Sequence, residues 1–196
     1  MKTIDCRGQA CPAPVIAAKK ALEESRDAIC VMLDDGAPRE NVTRFAKTRG
    51  YSVTEAPDAD GWSLIISGTP FTAGPEKTEP LKSAGAGKVL LITSDKLGSG
   101  SDELGALLMR NFLFTLLETE ERPDRILFLN SGVLLAVNGA ETVEALSRLA
   151  RNGVELASCG VCLDFYGKKD QLAVGVVTNM FSTAEQLLCA TSVIRL

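Results

Sequence analysis

The 196-residue chain contains no histidine, which removes the most frequent general base and the most frequent metal-ligating ring. A Ser-His-Asp or Cys-His catalytic unit cannot be assembled without one. A zinc site would have to be made from Cys, Asp and Glu alone. Aromatic residues are scarce at 5%, and basic residues are in no excess: 21 Lys and Arg stand against 25 Asp and Glu, for a net charge of −4. Without a cationic surplus to neutralise phosphates, no nucleic-acid partner is expected. No apolar run approaches the roughly 18 residues that span a bilayer, so no membrane partner is expected either. The opening MKTIDCRGQACPAP is polar where a secretory signal would be apolar. The expectation is a cytoplasmic protein. In that reducing compartment clustered cysteines serve redox, sulfur-transfer or metal chemistry more often than a disulfide scaffold.

What is present is sulfur, in six cysteines, and a hydrophobic fraction of 45%, enough to bury a core. Residues 69–87 (TPFTAGPEKTEPLKSAGAG) are rich in Pro and Gly and read as a linker. Residues 1–68 and 88–196 are then the expected domains. In the first, strands over Lys2–Cys6, Ile29–Leu33, Tyr51–Glu55 and Trp62–Ile66 alternate with helices over Pro14–Glu24 and Pro38–Lys47, predicting a two-layer α/β sandwich with a mixed four-stranded sheet. In the second, strands over Lys88–Thr93, Arg125–Asn130, Val154–Ser158, Leu172–Thr178 and Ser192–Leu196 alternate with helices near Asp102–Glu118, Glu141–Arg151 and Ala184–Cys189. That pattern predicts an open, mostly parallel, three-layer α/β domain.

Two cysteine motifs carry the chemistry. In Cys11-Pro12-Ala13-Pro14, Pro12 suits the first helical position, with Pro14 just behind it. Cys11 would then cap the helix, where the positive end of the dipole favours a thiolate, and Arg7 would add positive charge if the loop folds back. Cys6, at the end of the first strand, is a candidate resolving thiol or a buried strand-end residue. In Ser158-Cys159-Gly160-Val161-Cys162, Gly160 permits the tight turn that brings two thiols together. The spacing leaves open a redox or sulfur-relay pair, half of a metal site, or packing. If Cys162 begins a short helix, one thiol of the pair gains its dipole. A four-sulfur zinc site would have to recruit Cys6 and Cys11. The Gly-rich stretch Ser94–Asp102 reads as a connection with Asp102 as helix cap, or as an anion loop. Cys30 and Cys189 lie in apolar periodic segments and are expected to pack as small hydrophobes.

The stretch DCRGQACPAPVIAAKKAL resembles the TusA/SirA-like sulfur carriers, in which D-x-R-G precedes C-P-x-P and a helix. The position matching the family's persulfide-carrying cysteine is Cys11. VLLITSDKLGSGSDELGALLMRNFLFTLLE and SCGVCLDFYGKKDQLAVGVVTNM resemble the DsrE-like domain of the selenium-metabolism YedF family, which joins a TusA-like to a DsrE-like domain. The two resemblances imply sulfur or selenium handling and a homo-oligomer formed through the DsrE-like part. The reading built on them is a sulfurtransferase in which Cys11 accepts a persulfide sulfur from a protein donor such as a cysteine desulfurase, and Cys159 and Cys162 accept it in turn or release it by closing a disulfide. Thiolate exchange needs no bound cofactor. The alternatives are a non-enzymatic oligomeric delivery protein, or a thiol-disulfide oxidoreductase using Cys159 and Cys162 alone.

Overall fold

The computed structural model describes residues 1–10, 12–25, 27–58, 60–68 and 87–196. Residues 69–86, which make up nearly all of the expected linker, lie outside them, as does Cys11. The chain divides into two compact units, each built on its own sheet.

The first unit runs β1 (Lys2–Asp5), α1 (Ala13–Glu24), β2 (Ile29–Leu33), α2 (Ala37–Thr48), β3 (Ser52–Asp58) and β4 (Gly61–Ser67). Its sheet has the order β1-β2-β4-β3. β1 lies parallel to β2, with Thr3 opposite Cys30. β4 is antiparallel to β2 and β3, with Leu64 opposite Val31 and Ile66 opposite Val53. Side chains alternate across a strand, and β2 shows the consequence. Ile29, Val31 and Leu33 are buried while Cys30 and Met32 are half-buried, so one face carries the core. Val15, Ala18 and Ala21 of α1 and Val42, Phe45 and Ala46 of α2 pack into the same cluster. Their i, i+3, i+4 spacing is what makes one helical face apolar. Gly50, with φ +81°, ends α2, as a left-handed cap residue does.

The second unit contains β5 (Lys88–Ile92), α3 (Asp102–Thr115), β6 (Arg125–Phe128), a 3-10 segment over Asn130–Ala136 and α4 (Val143–Arg151). The chain continues with β7 (Glu155–Cys159), α5 (Gly160–Phe165), a 3-10 turn over Lys169–Gln171, β8 (Val176–Thr178), α6 (Met180–Cys189) and β9 (Ser192–Arg195). The strand order is β8-β7-β6-β5-β9, and every pair is parallel. All four residues of β6 are buried, as expected where helices cover both faces of a parallel strand. The core joins Leu90, Ile92, Ile126, Phe128 and Leu156 of the sheet to Met109 and Leu113 of α3 and Leu146 and Leu149 of α4.

Three expectations are corrected. The single strand expected over Leu172–Thr178 is interrupted. Only Val176–Thr178 pairs with β7, while Leu172 makes an isolated antiparallel bridge to Val137. Gly175 is the cause: its φ is +80°, and a Cβ there would sit 2.6 Å from the Leu156 carbonyl oxygen. The helix expected over Asp102–Glu118 ends at Thr115 and starts behind Ser101, whose Oγ accepts from the Leu104 N–H (3.4 Å). The cap is Ser101, not Asp102, whose carboxylate pairs with Lys96 at 2.6 Å. Finally, Cys189 is exposed at the end of α6. Cys189 is the last residue of that helix, past the buried Thr183 and Gln186, so packing does not account for this thiol.

Candidate functional site

At the N-terminal motif, Asp5 ends β1, and Arg7 and Gly8 lie in the loop between β1 and α1. Arg7 donates through Nε and Nη2 to the two Asp5 carboxylate oxygens, at 2.9 and 2.7 Å, and its backbone N–H donates to Oδ1 at 3.1 Å. This forked, charge-assisted grip holds the Asp5 carboxyl down at about 2. Gly8, with φ +71°, donates its N–H to Asp34 Oδ2 at 2.6 Å. The D-x-R-G residues are thus a loop lock. The Arg7 guanidinium pairs with Asp5, with Asp60 3.7 Å away; the charge it was expected to lend to Cys11 concerns a residue outside the described ones.

The first helical residue is Ala13, so the cap position falls on Pro12 rather than Cys11, and Pro14 occupies the first turn. The Pro12 carbonyl accepts from the Ile16 N–H at 3.1 Å. Cys6 is fully buried in the first core. Its thiol is pushed up first by burial and then by the Asp5 charge, an environment that disfavours an attacking thiolate. Cys30 is half-buried on the strand face opposite the core.

At the second motif, parallel strands put their carboxyl ends on one edge, the usual place for chemistry in such sheets. β7 ends there with Cys159, and α5 begins at Gly160. Cys159, not Cys162, occupies the cap position, and Cys162 lies within α5. Both are free thiols, and their surroundings differ. Cys159 is 1% exposed, and its thiol is pushed up to about 11. Burial is the main cause. The Cys162 sulfur pushes in the same direction, while N–H groups of Cys162 and Val161 partly offset the rise. Cys162 is half-buried, and its Sγ accepts the Asn130 backbone N–H at 3.1 Å. A six-residue helix supplies little macrodipole, so at Cys159 burial outweighs the dipole expected from the spacing. Gly160 is buried between the two thiols in sequence.

Several residues of this edge were not legible as functional. Asn130, two residues past the end of β6, is the one non-glycine residue with positive φ (+48°) among the described residues. Its Oδ1 accepts from the Tyr166 hydroxyl at 3.0 Å. Beside it, Ser131 Oγ donates to Asp95 Oδ1 at 2.8 Å and accepts the Asp95 N–H at 3.2 Å, tying the loop after β5 to the loop after β6. The available signal was Asn-Ser-Gly following an apolar strand, since Asn tolerates the left-handed region best after Gly. No cluster of three or more Cys, Asp and Glu able to hold a metal occurs among the described residues. No described helix is long and apolar enough to cross a membrane. A shallow groove of about 570 Å³ runs along α3 beside Ser101, Leu104, Leu107, Arg110 and Glu141, with no cysteine in its lining.

Comparison with known proteins bears on the first motif. The family model described as Sulfurtransferase TusA matches residues 2–68. A "Putative sulfur carrier protein" of Methanocaldococcus jannaschii is 40% identical over 68 residues, covering 34% of this chain and 91% of that protein. One of the same description from Neisseria meningitidis serogroup A is 32% identical over 68 residues, covering 33% and 92%. Among solved structures, the SirA-like protein of Desulfitobacterium hafniense is 36% identical and covers 35% of this chain and all of that one, with a TM-score of 0.33. The ychN protein of E. coli is 19% identical over 57% of this chain and 99% of that one, with a TM-score of 0.44. Identity of 40% across nine-tenths of a relative's length is a match of the whole unit, and the family model's span contains C-P-x-P; through its first 68 residues, the chain belongs to the TusA sulfurtransferase family.

Proposed function

We propose that this protein is a sulfur carrier that relays sulfane sulfur between two thiol stations, Cys11 in the first unit and the Cys159–Cys162 pair in the second. The reading rests on one observation above all: C-P-x-P, with its D-x-R-G loop lock, lies in a segment that matches the TusA family from end to end. The Cys11 thiolate attacks the outer sulfur of a donor persulfide. A new S–S bond forms on Cys11, and the donor cysteine leaves as a thiolate. Cys162 then attacks that outer sulfur and releases the Cys11 thiolate, becoming the persulfide itself. From there the sulfur passes to an acceptor thiol. Alternatively, Cys159 loses its proton, attacks the inner sulfur of Cys162 and expels hydrosulfide. The sulfane sulfur is thereby reduced while the pair is oxidised to a disulfide, which a low-molecular-weight thiol re-reduces.

The contrast between the two thiols supports these roles. Cys162 is reachable and accepts a backbone N–H, whereas Cys159 is buried and held protonated. A protonated partner keeps disulfide closure slow, which suits a carrier better than a dedicated oxidoreductase. The second unit is read as DsrE-like and self-associating. Leu104, Leu107 and Leu108 are 41–53% exposed on α3, and they offer an apolar face for a second copy. Selenium is handled by the same thiolates under this reading, because both chalcogens bond to a thiolate in the same way.

The test is mass spectrometry of the full chain after incubation with a persulfide donor, with a selenium donor in a parallel arm. Wild type gains one chalcogen atom on Cys11, Cys11→Ser gains none, and Cys162→Ser retains it on Cys11 without onward transfer. If Cys11→Ser loads as readily as wild type, the carrier reading fails. If Cys162→Ser passes sulfur on at the wild-type rate, the second station is dispensable and the non-enzymatic delivery reading replaces it.

A further inference from the structure

We infer that Asn130 and Tyr166 are positioning residues for Cys162: the Tyr166 hydroxyl anchors the Asn130 side chain, so that the strained Asn130 backbone aims its N–H at the Cys162 sulfur. This deepens the proposed function, since it rests on Cys162 being the working thiol of the pair. Three observations meet at one point. Asn130 holds φ +48°, and no other non-glycine described residue is in that region. Its N–H reaches Cys162 Sγ at 3.1 Å, from 32 residues away in the chain. Its Oδ1 takes the Tyr166 O–H at 3.0 Å, and the Tyr166 N–H donates to the Cys162 carbonyl at 3.1 Å. The four groups therefore close a ring: sulfur, Asn130 backbone, Asn130 side chain, Tyr166, and back along α5 to Cys162.

Backbone strain of this kind persists where the surroundings over-determine it, and it gathers at functional sites. An N–H aimed at a sulfur favours the thiolate over the thiol, because the charged form accepts the stronger hydrogen bond. It also fixes the rotamer from which the sulfur attacks. Three elements pack against α5: β7, the Asn130–Ala136 segment and the Lys169–Gln171 turn. On β7 the titratable groups are Cys159 and Glu155, the latter paired with Arg125 at 2.6 Å. The Lys169–Gln171 turn offers Lys169 and Asp170, and Lys169 pairs with Asp164 of α5 at 3.3 Å. The Asn130–Ala136 segment, NSGVLLA, carries no charge at all, so its influence on Cys162 is through the N–H alone.

The experiment is site-resolved alkylation of the full-length protein with iodoacetamide at pH 7, read by peptide mass spectrometry with Cys189 as the internal reference. Asn130→Ala disfavours positive φ and withdraws the N–H, so Cys162 alkylation falls about tenfold relative to Cys189. Tyr166→Phe, which keeps the ring, lowers it by a smaller factor. Asn130→Gly keeps positive φ accessible and restores alkylation to between Asn130→Ala and wild type. Wild-type rates in both Asn130→Ala and Tyr166→Phe would overturn the inference, as would Asn130→Gly being no better than Asn130→Ala. The underlying reading fails differently: then Cys162 is alkylated normally, with the expected variant effects, yet Cys162→Ser still passes sulfur onward.

Discussion

At neutral pH the two thiols of the C-terminal pair should differ sharply in reactivity. The Cys159 thiol, held at about 11 against an ordinary 9.0, is ionised to about one part in ten thousand at pH 7. An unperturbed thiol reaches about one part in a hundred, so its thiolate is depleted roughly 100-fold. Burial to 1% exposure slows reagent access on top of that. Pulsed iodoacetamide labelling with peptide mapping should therefore find Cys159 at least about 100-fold slower than the exposed Cys189, with the gap narrowing between pH 9 and 11 as Cys159 ionises. Cys162→Ala removes a neighbour that raises the Cys159 thiol but leaves the larger cause, burial, in place. Cys159 labelling should rise several-fold in that variant and stay far below that of Cys189.

The same group links to stability. Between pH 9 and 11 the unfolded chain loses the Cys159 proton while the folded chain keeps it. The folded state then binds more protons, and stability falls as pH rises through that window, by about 2–3 kcal/mol at most. Comparing denaturation midpoints of wild type and Cys159→Ala across this range isolates the slope from the packing lost with the side chain. Labelling of Cys159 at the Cys189 rate at pH 7, or no difference in alkaline slope between the two proteins, would refute the reasoning.

Four further outcomes are expected. Glu155→Gln removes the carboxylate charge that lies 2.6 Å from the Arg125 guanidinium, whose side chain is 6% exposed, and chemical denaturation should show a loss of about 2 kcal/mol. Gly175→Ala forces a Cβ against the Leu156 carbonyl at a φ of +80°, costing more than about 1 kcal/mol by the same measurement. Asp5, whose carboxyl Arg7 holds near 2 against 3.8, contributes stability that is fully present above pH 4 and is lost as pH falls toward 2. Asp5→Asn should flatten the acid limb of the stability profile in that interval. Under the proposed self-association through α3, Leu107→Glu should lower the sedimentation coefficient while far-UV circular dichroism stays unchanged; an unchanged coefficient would remove α3 from any interface.

Much of the architecture could be read from local pattern because the physics there is local. Runs such as KVLLI and RILF have no polar alternation, and only a strand covered on both faces tolerates that. The helix behind Pro12 and Pro14 and the turn at Gly50 follow from the backbone limits of Pro and Gly. The break at Gly175 was not readable, because it depends on how closely Leu156 approaches from a neighbouring strand. Nor was the exposure of Cys189: its segment, EQLLCATS, has apolar periodicity, yet α6 buries Thr183 and Gln186 instead. The fork by which Arg7 grips Asp5 was not read from the sequence either, because it depends on how the loop after β1 turns back.

By itself the sequence determined the kind of chemistry available. Without histidine, thiolates must be stabilised by backbone N–H groups and local charge, and C-P-x-P and C-x-x-C marked which sulfurs to consider. Spacing could bring Cys159 and Cys162 together but could not rank them, because burial and hydrogen bonding are set by segments distant along the chain. The tertiary structure decided that Cys159 is buried at a strand end and held protonated. It also decided that Cys162 receives its N–H from Asn130, across a gap of 32 residues that no local pattern reports.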